Sequence, residues 1–261
     1  MTQTAGPLMV TLRNGGAMPA LGFGTWKLTG AQAYDAVRTA LEVGYRHIDT
    51  ATMYGNETEV GRAVRDSGIT RGDIFITTKL PPDRAGDADS TLAASLTALG
   101  TDYVDLWLIH WPPRAGMSIP AWRSLLGARD RGVARAVGVS NYSPALVDEL
   151  IDETDDAPAV NQIPWSPFAY DAEVASHSAS CGVVLEGYSP FKRSKLDHPV
   201  LREIADTHGV EPTQVILRWH VDHGVVVIPK SATPARIAAN FDIWGFRLDP
   251  GEIARIDALA S

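Results

Sequence analysis

The sequence predicts an α/β fold, a (β/α)8 TIM barrel preceded by an N-terminal β-hairpin, and two observations carry this prediction. First, short apolar runs alternate along the chain with stretches of helical periodicity, and eight such strand–helix units can be counted. Second, the length of 261 residues suits a barrel of about 250 residues built as one domain. We therefore expect a single domain over residues 1–261.

The hairpin is predicted at the start of the chain. Residues 9–12 and 17–21 are short extended runs, and they flank a turn formed by Asn14, Gly15 and Gly16. Two such runs around a Gly-rich turn favour an antiparallel pair of strands.

The eight barrel strands are predicted from runs rich in Val, Ile and aromatic residues. They are residues 21–25, 45–49, 74–78, 103–109, 134–139, 160–163, 183–187 and 225–228. An open doubly wound sheet is the alternative, and it would carry a Gly-x-Gly-x-x-Gly phosphate loop after its first strand. Gly22 and Gly24 lack the third glycine, so the barrel is favoured.

The helices are predicted from apolar stripes and from the residues that begin them. Residues 31–43 carry an apolar stripe with a period of 3.6. Asn56 and Glu59 suit a capping box at the start of the next helix. Ser143 suits an N-cap, because Pro144 can occupy the first helical turn after it.

Composition and charge exclude several classes of protein. The chain has 23 Lys and Arg against 31 Asp and Glu, a net charge of −8, which argues against a nucleic-acid binder. No leader pattern and no apolar stretch of about 18 residues is found, so we expect a cytoplasmic protein without a membrane partner. We also expect a monomer. The single cysteine, Cys181, excludes an intramolecular disulfide and a Cys-based zinc cluster, and we expect no metal.

Four ionisable residues follow consecutive predicted strands. Asp49 ends the second strand and Tyr54 follows it, Lys79 ends the third, and His110 ends the fourth. Catalytic groups of a barrel lie at the carboxyl ends of its strands, so these side chains should meet at the mouth.

This set of side chains suits proton donation to a carbonyl oxygen. A lysine ammonium stabilises a tyrosine phenolate and should lower the tyrosine pKa, while a carboxylate keeps the lysine charged. The tyrosine can then protonate the oxygen, and a neutral histidine can orient the carbonyl. The carbon needs a hydride that no side chain can deliver, so a nicotinamide cofactor is implied.

Many further motifs make the sequence similar to the aldo-keto reductase family. They are GFGTW at 22–26, GYRHIDTA at 44–51, YGNE at 54–57, TTKL at 77–80, DLWLIHWP at 105–112, GVSNY at 138–142, NQI at 161–163, YSP at 188–190 and VIPKS at 227–231. The chain most resembles the bacterial branch of 2,5-diketo-gluconate and small α-dicarbonyl reductases.

The resemblance implies a barrel that binds NADPH and reduces aldehydes or ketones to alcohols. It assigns Tyr54 as the general acid, Lys79 and Asp49 as the pair that tunes it, and His110 as the residue that orients the carbonyl. Family members that reduce steroid double bonds carry glutamate at the histidine position, so His110 favours carbonyl reduction.

The resemblance also implies a set of cofactor-binding residues. They are Ser140, Asn141, Gln162, Tyr188, Ser189, Lys230, Ser231, Arg236 and Asn240. The first three match contacts to the nicotinamide carboxamide, and Tyr188 matches the ring that stacks on nicotinamide. Lys230, Ser231 and Arg236 match the 2′-phosphate site, which favours NADPH over NADH. Ala239 departs from the acidic or amide residue that often precedes Asn240 in the family.

The substrate pocket is predicted to be aromatic and open. Trp26 and Trp111 match family pocket positions, Met53 directly precedes Tyr54, and His110 faces the same space. The long loop that closes many family pockets is missing after the predicted helix at 250–259. Lys192 and Arg193 are candidates to cover the cofactor pyrophosphate, with a solvated loop as the alternative.

Two functions of other classes stay open at this point. One is a cofactor-binding regulatory subunit, like the barrel subunits attached to potassium channels. The other is a structural protein that reuses the barrel with little turnover.

Overall fold

The computed structural model describes residues 8–13, 15–192 and 194–260. The strands in these ranges are β1 (Met9–Thr11), β2 (Ala17–Pro19), β3 (Phe23–Gly24), β4 (His47–Asp49), β5 (Phe75–Leu80), β6 (Val104–Ile109), β7 (Ala134–Ser140), β8 (Val160–Pro164), β9 (Val184–Tyr188) and β10 (Val226–Ile228). The α-helices are α1 (Gly30–Val43), α2 (Glu57–Asp66), α3 (Ala88–Leu99), α4 (Ser118–Asp130), α5 (Pro144–Thr154), α6 (Ala172–Ser180), α7 (Pro199–His208), α8 (Pro212–Asp222), α9 (Pro234–Phe241) and α10 (Pro250–Asp257).

Strands β3 to β10 form the predicted parallel barrel. Each pairs with the next along the chain, and the sheet closes where Leu21 bridges Val227 in parallel. The closing bonds run from Gly22 N to Val227 O at 2.9 Å and from Val227 N to Ala20 O at 3.0 Å. The ring of His47 packs against Gly22 where a Cβ would stand, so the closing segment needs glycine there.

The predicted hairpin is confirmed and lies under the barrel. β1 and β2 are antiparallel, with Met9 opposite Pro19. Leu12 and Met18 are buried beside Phe75 and other residues near the starts of the strands. Each buried side chain of this kind stabilises the fold by about 1.5–3 kcal/mol. Asn14 of the predicted turn lies outside the described residues.

Several strands run beyond their predicted ends. β5 continues to Leu80, which pairs with Ile109, and β9 continues to Tyr188, which pairs with Pro164. Ladder hydrogen bonds with the neighbouring strand hold these extra residues. In contrast, β3 is shorter than the predicted 21–25, because the pairing with β4 covers only Phe23 and Gly24.

The helices pack around the barrel with their apolar stripes inward, as predicted for α1, where Ala33, Val37 and Leu41 are buried. Ser143 caps α5 by accepting a hydrogen bond from Leu146 N. The last helix is shorter than the predicted 250–259, because α10 ends at Asp257 and gives way to a 3₁₀ turn. Among the described residues, no helix is long and apolar enough to span a membrane.

Candidate active site

A buried ion pair lies at the carboxyl end of the barrel. Lys79, on β5, is fully buried, and its Nζ lies 2.7 and 2.6 Å from the two carboxylate oxygens of Asp49 and 2.8 Å from Thr50 O. Burial alone would lower the pKa of Lys79, but the charge of Asp49 and its hydrogen bonds help to outweigh burial, and the pKa is raised. Lys79 is therefore a fixed ammonium at neutral pH.

Tyr54 lies above this ammonium in the short 3₁₀ turn after β4. Its ring centroid is 5.1 Å from Lys79 Nζ. Burial raises the pKa of Tyr54 above its ordinary value, while the charge of Lys79 and its hydrogen bond to the tyrosine act in the opposite direction. The lowering predicted from Lys79 is present, but withdrawal of the phenolate from water outweighs it, so the net pKa is raised. The hydroxyl stays protonated at neutral pH.

His110 faces Tyr54 edge to face, with ring centroids 5.6 Å apart and an interplanar angle of 75°. Burial and then the charge of Lys79 lower the pKa of His110 to about 3. The ring is thus neutral over the physiological range. Its backbone carbonyl accepts a 3.0 Å hydrogen bond from Asn141 Nδ2. This bond joins the residue after β6 to the residue after β7.

Asn56 holds the loop that carries Tyr54. Its side-chain amide donates to Thr25 O at 3.0 Å and to Leu28 O at 2.9 Å, and its oxygen accepts a 2.7 Å bond from Thr50 Oγ1. The predicted capping box of Asn56 with Glu59 is wrong, since the Asn56 side chain makes no cap hydrogen bond to α2. Its amide instead donates to the loop after β3 and fixes that loop against the end of β4.

Beneath Asp49, a second buried carboxyl group enters the network. Gln162 Nε2 donates to Asp49 Oδ2 at 2.7 Å and to Glu186 Oε2 at 2.9 Å. Burial and the charge of Asp49 raise the pKa of Glu186 to about 8, so Glu186 is mostly protonated at neutral pH. His47 Nε2 lies 3.7 Å from Glu186 Oε1.

Sequence reasoning did not single out Glu186 or His47. The available signal was an acidic residue inside the otherwise apolar strand at 183–187. A carboxyl group there points either into the barrel or towards the apolar helices, and it needs polar partners in either place.

The residues that match the nicotinamide site lie together at the ends of β7, β8 and β9. Tyr188 donates its hydroxyl proton to Asn141 Oδ1 at 2.7 Å, and Ser140 Oγ donates to Gln162 O at 2.8 Å. Asn141 and Ser189 have φ values of 65° and 54°. Left-handed backbone at non-glycine residues is uncommon and concentrates at functional sites.

The amino end of α9 carries the residues that match a phosphate site. Ser231 Oγ accepts a 3.0 Å hydrogen bond from Thr233 N just before the helix, and Asn240 is buried on the same helix. Lys230 and Arg236 are both exposed. Neither makes an ion pair with any residue that the structure describes, so two cations flank a helix N-terminus, an arrangement that suits a phosphate dianion.

The mouth is lined by exposed apolar side chains. Trp26 is 44% exposed, Met53 58% and Trp111 47%, and each lies in a loop that follows a barrel strand. Lys27 Nζ and Lys192 Nζ lie 4.5 and 5.7 Å from the Trp26 ring centroid. Arg193 lies outside the described residues. Large exposed apolar groups that follow strands at one end of a barrel can form a binding surface, and the open aromatic pocket stays a prediction.

Known proteins with this fold and this cluster of motifs share one family. A sequence model of the aldo/keto reductase family matches residues 20–261. Methylglyoxal reductase DkgA of Escherichia coli K12 is 41% identical over 260 residues, covering 97% of this chain and 94% of the relative. An aldo-keto reductase of Mycolicibacterium smegmatis is 44% identical over 255 residues, covering 96% and 92%.

Solved structures give the same result. An aldo/keto reductase from Brucella melitensis superposes with a TM-score of 0.94 at 42% identity, covering 97% of this chain and 99% of that one. The Bombyx mori aldo-keto reductase in complex with NADP superposes with a TM-score of 0.93 at 31% identity, covering 98% and 93%.

The barrel, the polar cluster around Lys79 and these relatives thus define an oxidoreductase that reduces aldehydes or ketones with NADPH. The chain belongs to the aldo/keto reductase family. Neither of the other functions considered, a regulatory subunit and a structural protein, is supported by these comparisons.

Proposed function

We propose that the chain reduces small α-dicarbonyl compounds such as methylglyoxal, with Tyr54 as the proton donor. The observation that carries the chemistry is the stack of Tyr54 over the Lys79–Asp49 pair beside a neutral His110. Bound NADPH supplies the hydride that the carbonyl carbon takes. The side chains supply the proton and the orientation.

In this proposal the tyrosine acts as an acid throughout the reduction. Its pKa is raised by burial, so its hydroxyl is protonated when the carbonyl arrives. As negative charge grows on the carbonyl oxygen, Tyr54 releases its proton, and the Lys79 ammonium stabilises the phenolate that remains. Asp49 holds that ammonium in place through two short contacts.

His110 positions the carbonyl oxygen against Tyr54. The ring is neutral because its pKa is lowered to about 3, and its Nδ1 is buried with no hydrogen-bond partner in the described part of the chain. We assign the proton to Nε2, which then donates to the carbonyl oxygen as charge develops there. A hydrogen bond to the same oxygen from two sides, Tyr54 and His110, fixes its direction.

The residues present fit NADPH. Two exposed cations without ion-pair partners among the described residues, Lys230 and Arg236, would hold the 2′-phosphate with Ser231 at the start of α9. Asn240 would contact the adenine. Ser140, Asn141 and the amide oxygen of Gln162 would hold the carboxamide, Tyr188 would stack on the ring, and Ser189 would line the same strand end.

The substrate proposal rests on the pocket and on the relatives. Trp26, Met53 and Trp111 form an exposed apolar rim around a polar floor, which suits a small carbonyl compound. The relative at 41% identity is named as a methylglyoxal reductase. A second carbonyl beside the first withdraws electrons and makes the reacting carbon a better hydride acceptor.

The substrate proposal is tested by measuring NADPH oxidation on matched pairs of substrates. We expect kcat/KM for methylglyoxal to exceed that for propanal and acetone by at least about tenfold, a difference of about 1.4 kcal/mol. Equal values would contradict the dicarbonyl preference and leave the carbonyl reduction itself intact.

We also propose that the protein works as one domain and as a monomer in the cytoplasm. A free thiol at Cys181 suits a reducing compartment, and half of the exposed large apolar side chains that the structure describes belong to the substrate rim. Sedimentation at micromolar concentration should give the mass of one chain, 28.1 kDa. A dimer mass would contradict the monomer.

A further inference from the structure

Three metal-ligating side chains meet in the outer helical layer, away from the catalytic mouth. Asp148 lies on α5, His177 lies in the last turn of α6, and Cys181 follows α6 directly. One ligand atom from each lies within 4.8 Å of the other two. The chain enters β9 just after Cys181, so the cluster lies towards the end where the strands begin, opposite the catalytic residues.

The geometry of the cluster centres on one imidazole nitrogen. His177 Nε2 lies 2.8 Å from Asp148 Oδ1 and 3.9 Å from Cys181 Sγ. His177 and Cys181 are four residues apart, so their side chains lie on the same face of the helix end. The backbone is fixed here as well, because Cys181 N donates to His177 O at 3.1 Å and Arg13 Nη1 donates to Cys181 O at 2.9 Å.

We propose that Asp148, His177 and Cys181 form a binding site for a divalent transition metal of the zinc class. Zinc takes thiolate, imidazole and carboxylate ligands at about 2.3, 2.0 and 2.1 Å. Tetrahedral placement then separates ligand atoms by about 3.2–3.7 Å, close to the 2.8 and 3.9 Å found here. Rotation of surface side chains closes the remaining difference, and water completes the fourth position.

The donor set selects among metals. One thiolate and one imidazole favour zinc or cobalt over magnesium or calcium, which prefer oxygen ligands. On binding, the thiol of Cys181 releases its proton to solvent, and the neutral His177 ring carries its single proton on Nδ1 so that the lone pair of Nε2 binds the metal. The side chains of Asp148 and His177 are 52% and 24% exposed, so a hydrated ion can enter from solvent.

Metal binding at this site would act on the fold rather than on the chemistry. The ion would cross-link α5 to the end of α6, and Cys181 is tied to the N-terminal hairpin region through Arg13. A ligand that binds only the folded state stabilises it by mass action. We therefore expect Zn²⁺ to raise the melting temperature without being needed for carbonyl reduction.

The test is titration of the untagged, metal-stripped protein with Co²⁺ and Zn²⁺. We expect one equivalent of Co²⁺ to give a thiolate charge-transfer band in the near ultraviolet and intense visible bands of four-coordinate cobalt. Cys181→Ser should abolish the charge-transfer band. His177→Gln and Asp148→Asn should each weaken Zn²⁺ binding at least about tenfold. Loss of a residue that only supports a metal ligand already weakens binding by about that factor.

The matched control is His208→Gln. It removes another histidine–carboxylate pair, His208 with Glu252 at 2.9 Å, which has no thiol beside it, and should leave the cobalt spectrum unchanged. Two results would overturn the site: cobalt binding without a charge-transfer band, or equal loss of Zn²⁺ affinity in His208→Gln and His177→Gln.

Discussion

The ammonium of Lys79 lies within 2.7 Å of both carboxylate oxygens of Asp49, and both side chains are buried inside the barrel. A pair of this kind is costly to break, because the partner that remains keeps its charge away from water. The same pair carries the account of catalysis, since it supplies the positive charge under Tyr54. Stability and turnover are therefore linked at this position, so the free energy of unfolding and kcat have to be measured on the same variants.

Asp49→Asn should destabilise the protein and reduce turnover together. The substitution keeps the shape of the side chain and removes its charge, so we expect a loss of about 3–5 kcal/mol in the free energy of unfolding. The double variant Asp49→Asn/Lys79→Met removes the stranded ammonium and should recover most of that stability while remaining inactive. Urea unfolding and kcat measure the two effects. Recovery of activity in the double variant would contradict the role given to Lys79.

Carbonyl reduction should show no acidic limb from His110. Its pKa is lowered to about 3, so about 1% of the ring is charged at pH 5. We expect kcat for reduction to be flat from pH 7.5 down to pH 5 while the protein stays folded. A decline of about tenfold per pH unit below 6.5, absent in His110→Gln, would show that the histidine titrates normally and would contradict the buried neutral ring.

The stability of the protein should be highest between about pH 6 and 7. Burial lowers the pKa of His47 to about 3 and of His220 to about 4. The unfolded chain therefore binds more protons than the folded one below about pH 6.5, and stability falls as the pH is lowered. The pKa of Glu186 is raised to about 8, so above pH 4.5 the folded state binds the extra proton and stability falls as the pH rises to 8.

Glu186→Gln should change how the free energy of unfolding depends on pH on the alkaline side of the maximum. Between pH 7 and 8 the folded state keeps the Glu186 proton that the unfolded chain has lost, while the unfolded histidines release most of theirs. The parent should therefore lose stability as the pH rises, by less than the limit of about 1.4 kcal/mol per pH unit set by one proton. The variant keeps a neutral side chain that can bond Gln162 and should lose no stability over that range. His220→Gln is the matched control and should change the acidic side only. An unchanged alkaline slope in Glu186→Gln would contradict a proton held by Glu186.

Arg236→Ala should weaken NADPH binding much more than NADH binding. Arg236 is exposed and makes no ion pair with the described residues, and only NADPH carries the 2′-phosphate that a guanidinium fork rewards. We expect a loss of at least about tenfold for NADPH, equal to about 1.4 kcal/mol, and little change for NADH, measured by quenching of intrinsic fluorescence. Arg255→Ala, at another exposed arginine, paired with Glu203, should affect neither. Equal losses for both cofactors would contradict the phosphate assignment.

Much of the candidate site could be predicted from the sequence, because catalytic groups of a barrel lie at the carboxyl ends of its strands. Asp49, Lys79 and His110 each end a strand or follow one, and parallel strands bring their carboxyl ends to one mouth. The βα periodicity predicted the barrel for the same reason. Local pattern is enough where the chain positions a residue through its own secondary structure.

Other parts depend on contacts between distant segments and escaped prediction. The pairing of Asp49 with Glu186 through Gln162 needs the inward register of three strands. Asn56 has a capping sequence, yet its amide bonds a loop about 30 residues earlier. The net pKa of Tyr54 depends on how deeply its hydroxyl is buried against the strength of one ammonium. Asp148 and His177 meet only because α5 packs on α6.

Tyr54→Phe tests whether the Tyr54 hydroxyl donates the proton in carbonyl reduction. The variant keeps the ring above Lys79 and removes only the hydroxyl. NADPH affinity, measured by fluorescence quenching, should stay within about twofold of the parent, while kcat for methylglyoxal should fall by at least about a hundredfold, a typical scale for a lost general acid. Near-normal reduction by Tyr54→Phe would contradict the mechanism.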